Sequence, residues 1–273
     1  MAASKLGVIH YNWPGYDLEG FVKRVAEIGF QYVELMISDL WDGTTDAQSD
    51  GRRGADAVRE LLERFDIQAS AISANNNFLM LDSDEQESQI QRYRDICMLA
   101  AHMGVPVLRT DGGSADPDQL SRDRWDGMML DAFKRCVDFA EQHDVTIALD
   151  NHGVATNDGD WQLSLFERVG SGRLGTNLDT MNYRWFGHDI DTCNRFYKLL
   201  APYVVHTHMK DGCGSREHYQ GAALGDGEIG LEHAVQCVKA AGYDGVWCAE
   251  YEGPEPEDGV GYVKCYQWMQ AHI

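Results

Sequence analysis

Four segments of the chain end an apolar run on a group that can hold a proton or a cation. ALDNHG brings one run to Asp150, NLDTMN brings the next to Asp179, HTHMKDG carries His206 and His208, and AEYEG ends its run on Glu250. In a parallel sheet all of them would stand at one edge. Three carboxylates crowded with an imidazole away from water repel one another and lose solvation, a combination that one divalent cation relieves. Taken singly, each residue has a plainer reading, an Asp as a helix cap or a His as a satisfied core group. Their recurrence at equivalent places in four consecutive repeats is what points to a metal, with Asp150, Asp179, His208 and Glu250 as ligands. One nitrogen and three carboxylate oxygens form a mostly hard donor set, which predicts Mn²⁺ first and admits Mg²⁺, Co²⁺ or Zn²⁺. Side-chain alternation puts Val204, His206, His208 and Lys210 on one face, with His208 nearer the rim as the ligand and His206 one layer deeper.

The chemistry expected of such a site is Lewis-acid catalysis on a hydroxy-carbonyl compound. A metal chelating a carbonyl and its neighbouring hydroxyl acidifies the carbon between them and holds the enediolate. Proton abstraction needs a base within reach: Glu250 is the first candidate, with Lys210 and His152 for the opposite side. Lys210 has an alternative as partner of Asp211 or Glu252. Arg109 shares a face with Val107 and Asp111, and Glu34 with Tyr32 and Met36, so the two either pair with each other or bind substrate hydroxyls. His10, Asn75, Asn76, Trp41 and His206 complete the expected substrate-binding set, since amides and aromatic faces are what polyols need. The loop ALGDGEIG is acidic rather than basic, so an unphosphorylated sugar, keto-sugar or cyclitol is expected.

The elements that must position these groups are legible as eight strand-type runs starting at Lys5, Tyr32, Ile67, Val105, Val145, Leu174, Val204 and Gly245. Amphipathic stretches such as LEGFVKRVAEIG and LEHAVQCVKAAG separate them, and no two runs follow each other across a tight turn. That alternation predicts an α/β fold, a single-domain (β/α)8 TIM barrel over residues 1–273. Gly29, Gly104, Gly170 and Gly242 sit where helix C-caps are expected. The stretches after the second and seventh runs are long and polar, which marks that end of the barrel as the one that binds. In the C-terminal segment, Tyr262, Tyr266 and Trp268 either serve a homo-dimer or homo-tetramer interface or pack a last helix on the barrel.

With 44 acidic against 23 basic residues, the net charge of -21 excludes nucleic acid and anionic membrane surfaces as partners. Either solubility or a salt-adapted host accounts for such acidity. Seven cysteines without a CxxC pair read as free thiols in a reducing cytoplasm. The first twenty residues lack the pattern of a secretory leader, and no window has the run of apolar residues that a membrane span needs.

ALDNHG, NLDTMN, HTHMKDG, ALGDGEIG and AEYEG together resemble motifs of the xylose-isomerase-like TIM-barrel superfamily. This is the sugar phosphate isomerase/epimerase group that includes ketose 3-epimerases, hydroxypyruvate isomerase, inosose dehydratase and an apurinic endonuclease branch. The likeness spans essentially the whole chain and is densest from Asp150 to Glu252. It implies the same four metal ligands, and an inward glutamate from the second strand, here Glu34. The chain departs from the family in carrying Asp150 where the group usually has Glu, and Thr156 where ketose 3-epimerases place a further glutamate. The resemblance therefore implies an isomerase or epimerase of a small sugar acting through a metal-stabilised enediolate. The alternatives are a lyase of the inosose-dehydratase or keto-sugar type on the same site, and a barrel that binds a sugar without catalysis.

Overall fold

The computed structural model describes residues 4–114 and 118–273. Among these, seven parallel strands follow in order: β1 (Leu6–Ile9), β2 (Tyr32–Met36), β3 (Gln68–Ser73), β4 (Val107–Thr110), β5 (Thr146–Asp150), β6 (Leu174–Asp179) and β7 (Val204–Met209). A small antiparallel hairpin of β8 (Asp211–Cys213) and β9 (Gln220–Ala222) comes next, and then the last barrel strand, β10 (Trp247–Ala249). The barrel closes in the order β1-β10-β7-β6-β5-β4-β3-β2, every neighbour parallel, as a (β/α)8 TIM barrel. The hairpin corrects the expectation that no two strands would meet across a turn: Asp211 pairs with Ala222 and Cys213 with Gln220. Its strands are three residues long, too short for side-chain alternation to show in the sequence.

Helices α1 (Leu18–Ile28), α2 (Arg52–Arg64), α3 (Ser83–Met103), α4 (Arg122–His143), α5 (Gly159–Val169), α6 (Asn182–Phe186), α7 (Ile190–Leu200), α8 (Leu231–Ala240) and α9 (Val260–His272) connect the strands. Asp17, Asp82, Asp158 and Asp189 begin α1, α3, α5 and α7 by accepting from backbone amides of the first turn, where the unpaired N–H groups lie. Gly29, Gly104 and Gly170 end α1, α3 and α5 in the left-handed conformation. Gly242 is also left-handed but lies one residue past the cap of α8, which is Ala241. Tyr262 is fully buried, stacked on Trp13 at 4.5 Å, and Tyr266 and Trp268 pack against the core, so the aromatic residues of α9 face the barrel.

Two register shifts bear on the site. Between Val33 and Glu34 the pairing of β2 with β3 skips Ser70, and between Thr176 and Asn177 the pairing of β6 with β7 skips Val205. Bulges of this kind re-aim the residues that follow them, here Glu34 on β2 and Asn177 and Asp179 on β6. No helix among the described residues is long and apolar enough to cross a membrane.

Candidate metal and catalytic site

The C-terminal ends of β5, β6 and β7 bring one donor atom each of Asp150, Asp179 and His208 within 4.8 Å of one another, all fully buried. The Asp179 carboxylate is divided in its work. Oδ1 accepts from the amides of Met181 and Asn182 at 2.7 and 2.8 Å and so starts α6, whereas buried Oδ2 has no hydrogen-bond partner among the described residues. Burial pushes this carboxyl up to about 7, the Lys210 ammonium offsetting only part of the effect.

His208 is held from behind. Its Nε2 lies 2.7 Å from Glu34 Oε2, while Nδ1 faces Asp179 Oδ2 at 4.0 Å and Glu250 Oε2 at 2.7 Å. The Glu250 contact is close but lies off the ring's N–H axis, so Nδ1 makes no hydrogen bond. Although burial opposes it, Glu34 and Glu250 hold the imidazole well above its ordinary range. Glu34 is itself depressed to about 2: its burial would raise it, and His208 outweighs that. A ring whose far nitrogen is tied to a carboxylate while its near nitrogen points at two others has the arrangement of a carboxylate–histidine–metal unit.

Glu250 stands beside this cluster, against the His208 ring. Its Oε1 takes the Lys210 Nζ at 2.9 Å, and the same ammonium reaches Glu252 Oε2 at 2.9 Å. Lys210 thus pairs with both glutamates rather than with Asp211. Burial alone would raise Glu250, but Lys210 and then His208 hold it well below the usual carboxylate range. Asp150, the fourth acid, receives Arg109 Nη2 on Oδ2 and Asn177 Nδ2 at 3.1 Å on Oδ1. Arg109 and Glu34 therefore share no direct hydrogen bond; each serves a different residue of the acid–imidazole cluster.

His206 lies one layer below, 1% exposed, donating from Nδ1 to Asn177 Oδ1 at 2.9 Å, and burial drives its pKa down to about 4. Because the Asn177 amide nitrogen is turned to Asp150, its oxygen must face His206, which fixes the neutral tautomer of the ring. Beside it, Glu34, His206 and Cys248 form a second buried cluster of ligand-type groups. The His206 nitrogen nearest Glu34, at 3.6 Å, is the one already donating to Asn177, so its lone pair is not on offer.

The open side of the site is a cleft of about 480 Å³ lined by Tyr11, Asn12, His152, Asn182, Trp185, Lys210, Tyr219, Glu252 and Gly253. His152 is half exposed there, its Nδ1 3.9 Å from Asp150 Oδ2. Thr156 holds the His152 backbone, accepting from its amide at 2.8 Å and donating to its carbonyl at 2.6 Å. Tyr219, from the turn between β8 and β9, donates to Glu252 at 2.8 Å.

Three expected substrate contacts lie elsewhere. His10 stacks on Phe21 and meets Asp39 at 3.0 Å; Trp41 is 7% exposed with its indole N–H on the Thr45 carbonyl; Asn75 is exposed, its carbonyl accepting from Arg92. Asn76 is buried and takes the Thr110 hydroxyl. The cleft residues that sequence reading left out differ in how visible they were. Glu252 follows Glu250 by two, the strand period, but Tyr219 and Trp185 arrive on a three-residue-strand hairpin and a five-residue helix that carry no periodic signal.

The model of the xylose isomerase-like TIM barrel family matches residues 22–272. No curated protein matches the sequence significantly. Among solved structures, the IOLI protein with a binding zinc atom is 16% identical, with 98% of this chain and 96% of that one covered at a TM-score of 0.76. The probable 3-DHS dehydratase AsbF of Bacillus anthracis is 16% identical over 98% and 97%, TM-score 0.73. A D-psicose 3-epimerase is 14% identical over 96% and 89%, TM-score 0.72.

Proposed function

As the chain belongs to the xylose isomerase-like TIM barrel family, we propose that it is a divalent-metal-dependent isomerase or epimerase of a small, unphosphorylated sugar or keto-sugar. The observation that carries this reading is the convergence of Asp150, Asp179 and His208 with two buried ligand-type atoms, Asp179 Oδ2 and His208 Nδ1, left without hydrogen-bond partners. Buried polar groups are rarely left so, and a cation is the partner both atoms suit. Asp150, Asp179, His208 and Glu250 would hold it. The ion would supply Lewis acidity, stabilising the negative charge that develops on a substrate carbonyl when the neighbouring carbon loses its proton. Mn²⁺ suits the donor set best, and zinc is named with one structure of the same fold.

The chain's own residues do the rest. Glu250, kept ionised by Lys210, takes the proton on one side of the substrate. His152 faces the cleft on the other side and, in its protonated form, would deliver its own proton to the opposite face. Tyr219 and Glu252, joined to each other and to Lys210, hold substrate hydroxyls on the cleft wall. Glu34 orients His208 from behind, and buried His206 orients Asn177 and through it Asp150.

A lyase outcome is favoured by one feature. Thr156 is spent on the His152 backbone, so position 156 offers no second carboxylate to reprotonate a sugar, and elimination of a β-hydroxyl needs fewer paired bases. Proton NMR in D₂O, with metal-loaded protein and a panel of ketoses, 3-keto-sugars and inososes, separates the readings. Deuterium beside the carbonyl with every hydroxyl retained supports the isomerase. Loss of a hydroxyl supports the lyase, and bound metal with neither change across the panel would overturn both.

A further inference from the structure

Asp150 has two claimants. Each of its oxygens accepts a hydrogen bond, Oδ2 from the Arg109 guanidinium and Oδ1 from Asn177, whereas Oδ2 of the neighbouring Asp179 has no hydrogen-bond partner among the described residues. Arg109 is otherwise poorly served. Its side chain is only 12% exposed, and among the described residues its other hydrogen bond goes to Ser73 Oγ at 3.3 Å while its buried Nε has no partner. Asp150 is thus its main anchor. A divalent ion drawn to the Asp150–Asp179–His208 cluster would have to share or displace the guanidinium's hold on Oδ2, and an oxygen already bonded to a guanidinium offers a cation less negative charge.

We propose that Arg109 competes with the metal for Asp150 and thereby sets the affinity of the site. The inference rests on the reading of Asp150 as one of four ligands. It makes the arginine a device that keeps the acid cluster neutralised when no metal is bound, at the cost of weaker loading.

Calorimetric titration of the metal-stripped full chain with CoCl₂, followed in parallel by cobalt's visible absorption, tests this without any substrate. Arg109→Met should bind Co²⁺ about tenfold tighter than the wild type. Arg109→Lys should move the same way, because it keeps the charge but not the planar fork. In an Asp150→Asn background the gain from Arg109→Met should disappear, since the competition runs through that carboxylate. Should Arg109→Met fail to fold, Arg109→Gln, which is polar but carries no guanidinium, takes its place. A wild type that binds Co²⁺ with no tighter binding in the arginine variants overturns the competition alone. A gain that persists unchanged in the Asp150→Asn background likewise overturns it, leaving a through-space effect of charge. If neither the wild type nor any variant binds Co²⁺, the metal reading falls and the proposal with it.

Discussion

Glu34 and His208 meet across the barrel from strands far apart in the chain, and that one contact decides which imidazole nitrogen faces the acids. With Nε2 tied to Glu34, Nδ1 is the nitrogen turned toward Asp179 and Glu250, and it would offer its lone pair to a cation on giving up its proton. Glu34→Gln should therefore weaken metal binding about 10- to 100-fold while leaving the circular dichroism spectrum intact, and an unchanged affinity would remove Glu34 from the site. His208→Ala and Glu250→Ala should abolish stoichiometric metal in the folded protein. If elemental analysis found full metal content in both, the ligand assignment would be wrong. At this scale the sequence marked residue types and rims: His206 stands one layer below His208, as alternation required. It did not mark partners. Arg109 bonds Asp150 rather than Glu34, because which charges meet inside a barrel depends on strands distant in the chain.

Among the elements, the segment between β7 and α8 does the most positioning. Asp211, 1% exposed, gathers the amides of Gly212, Gly225, Gly227 and Ile229 at 2.8 to 3.3 Å, closing the acidic loop onto the hairpin that presents Tyr219. A carboxylate of the chain itself therefore fills this nest of amides, consistent with the unphosphorylated substrate proposed above. The Gly227 position has no room for a Cβ, which would run into the Asp211 carboxylate. Asp211→Ala should lower stability by about 1–3 kcal/mol in a urea melt, as buried donors lose their acceptor. It should also speed hydrogen exchange at Gly225 and Gly227; slow exchange at both amides in the variant would show that the clamp does not hold the loop. The long loop was visible as a polar, glycine-rich stretch, but the hairpin inside it was not.

For the whole molecule, the net charge of -21 acts against compaction through self-repulsion. Thermal unfolding should shift upward as NaCl is raised from low to moderate concentration, and a melting temperature that is flat or falls with salt would show that local ion pairs such as Arg135–Glu87 already neutralise the surface. The barrel is legible in the chain. Eight runs of strand type, their intervening helices and the rim on which Asp150, Asp179, His208 and Glu250 stand follow from periods of about 2 and 3.6 residues, which are local properties of the chain. Tertiary structure alone decided that Arg109 holds Asp150, that Lys210 spans Glu250 and Glu252, and that Trp185 and Tyr219 wall the cleft while Trp41 and His10 do not. The reason is physical. A buried charge takes whichever opposite charge barrel closure and two strand bulges bring within reach, and those register shifts leave no periodic mark on the residues that make them.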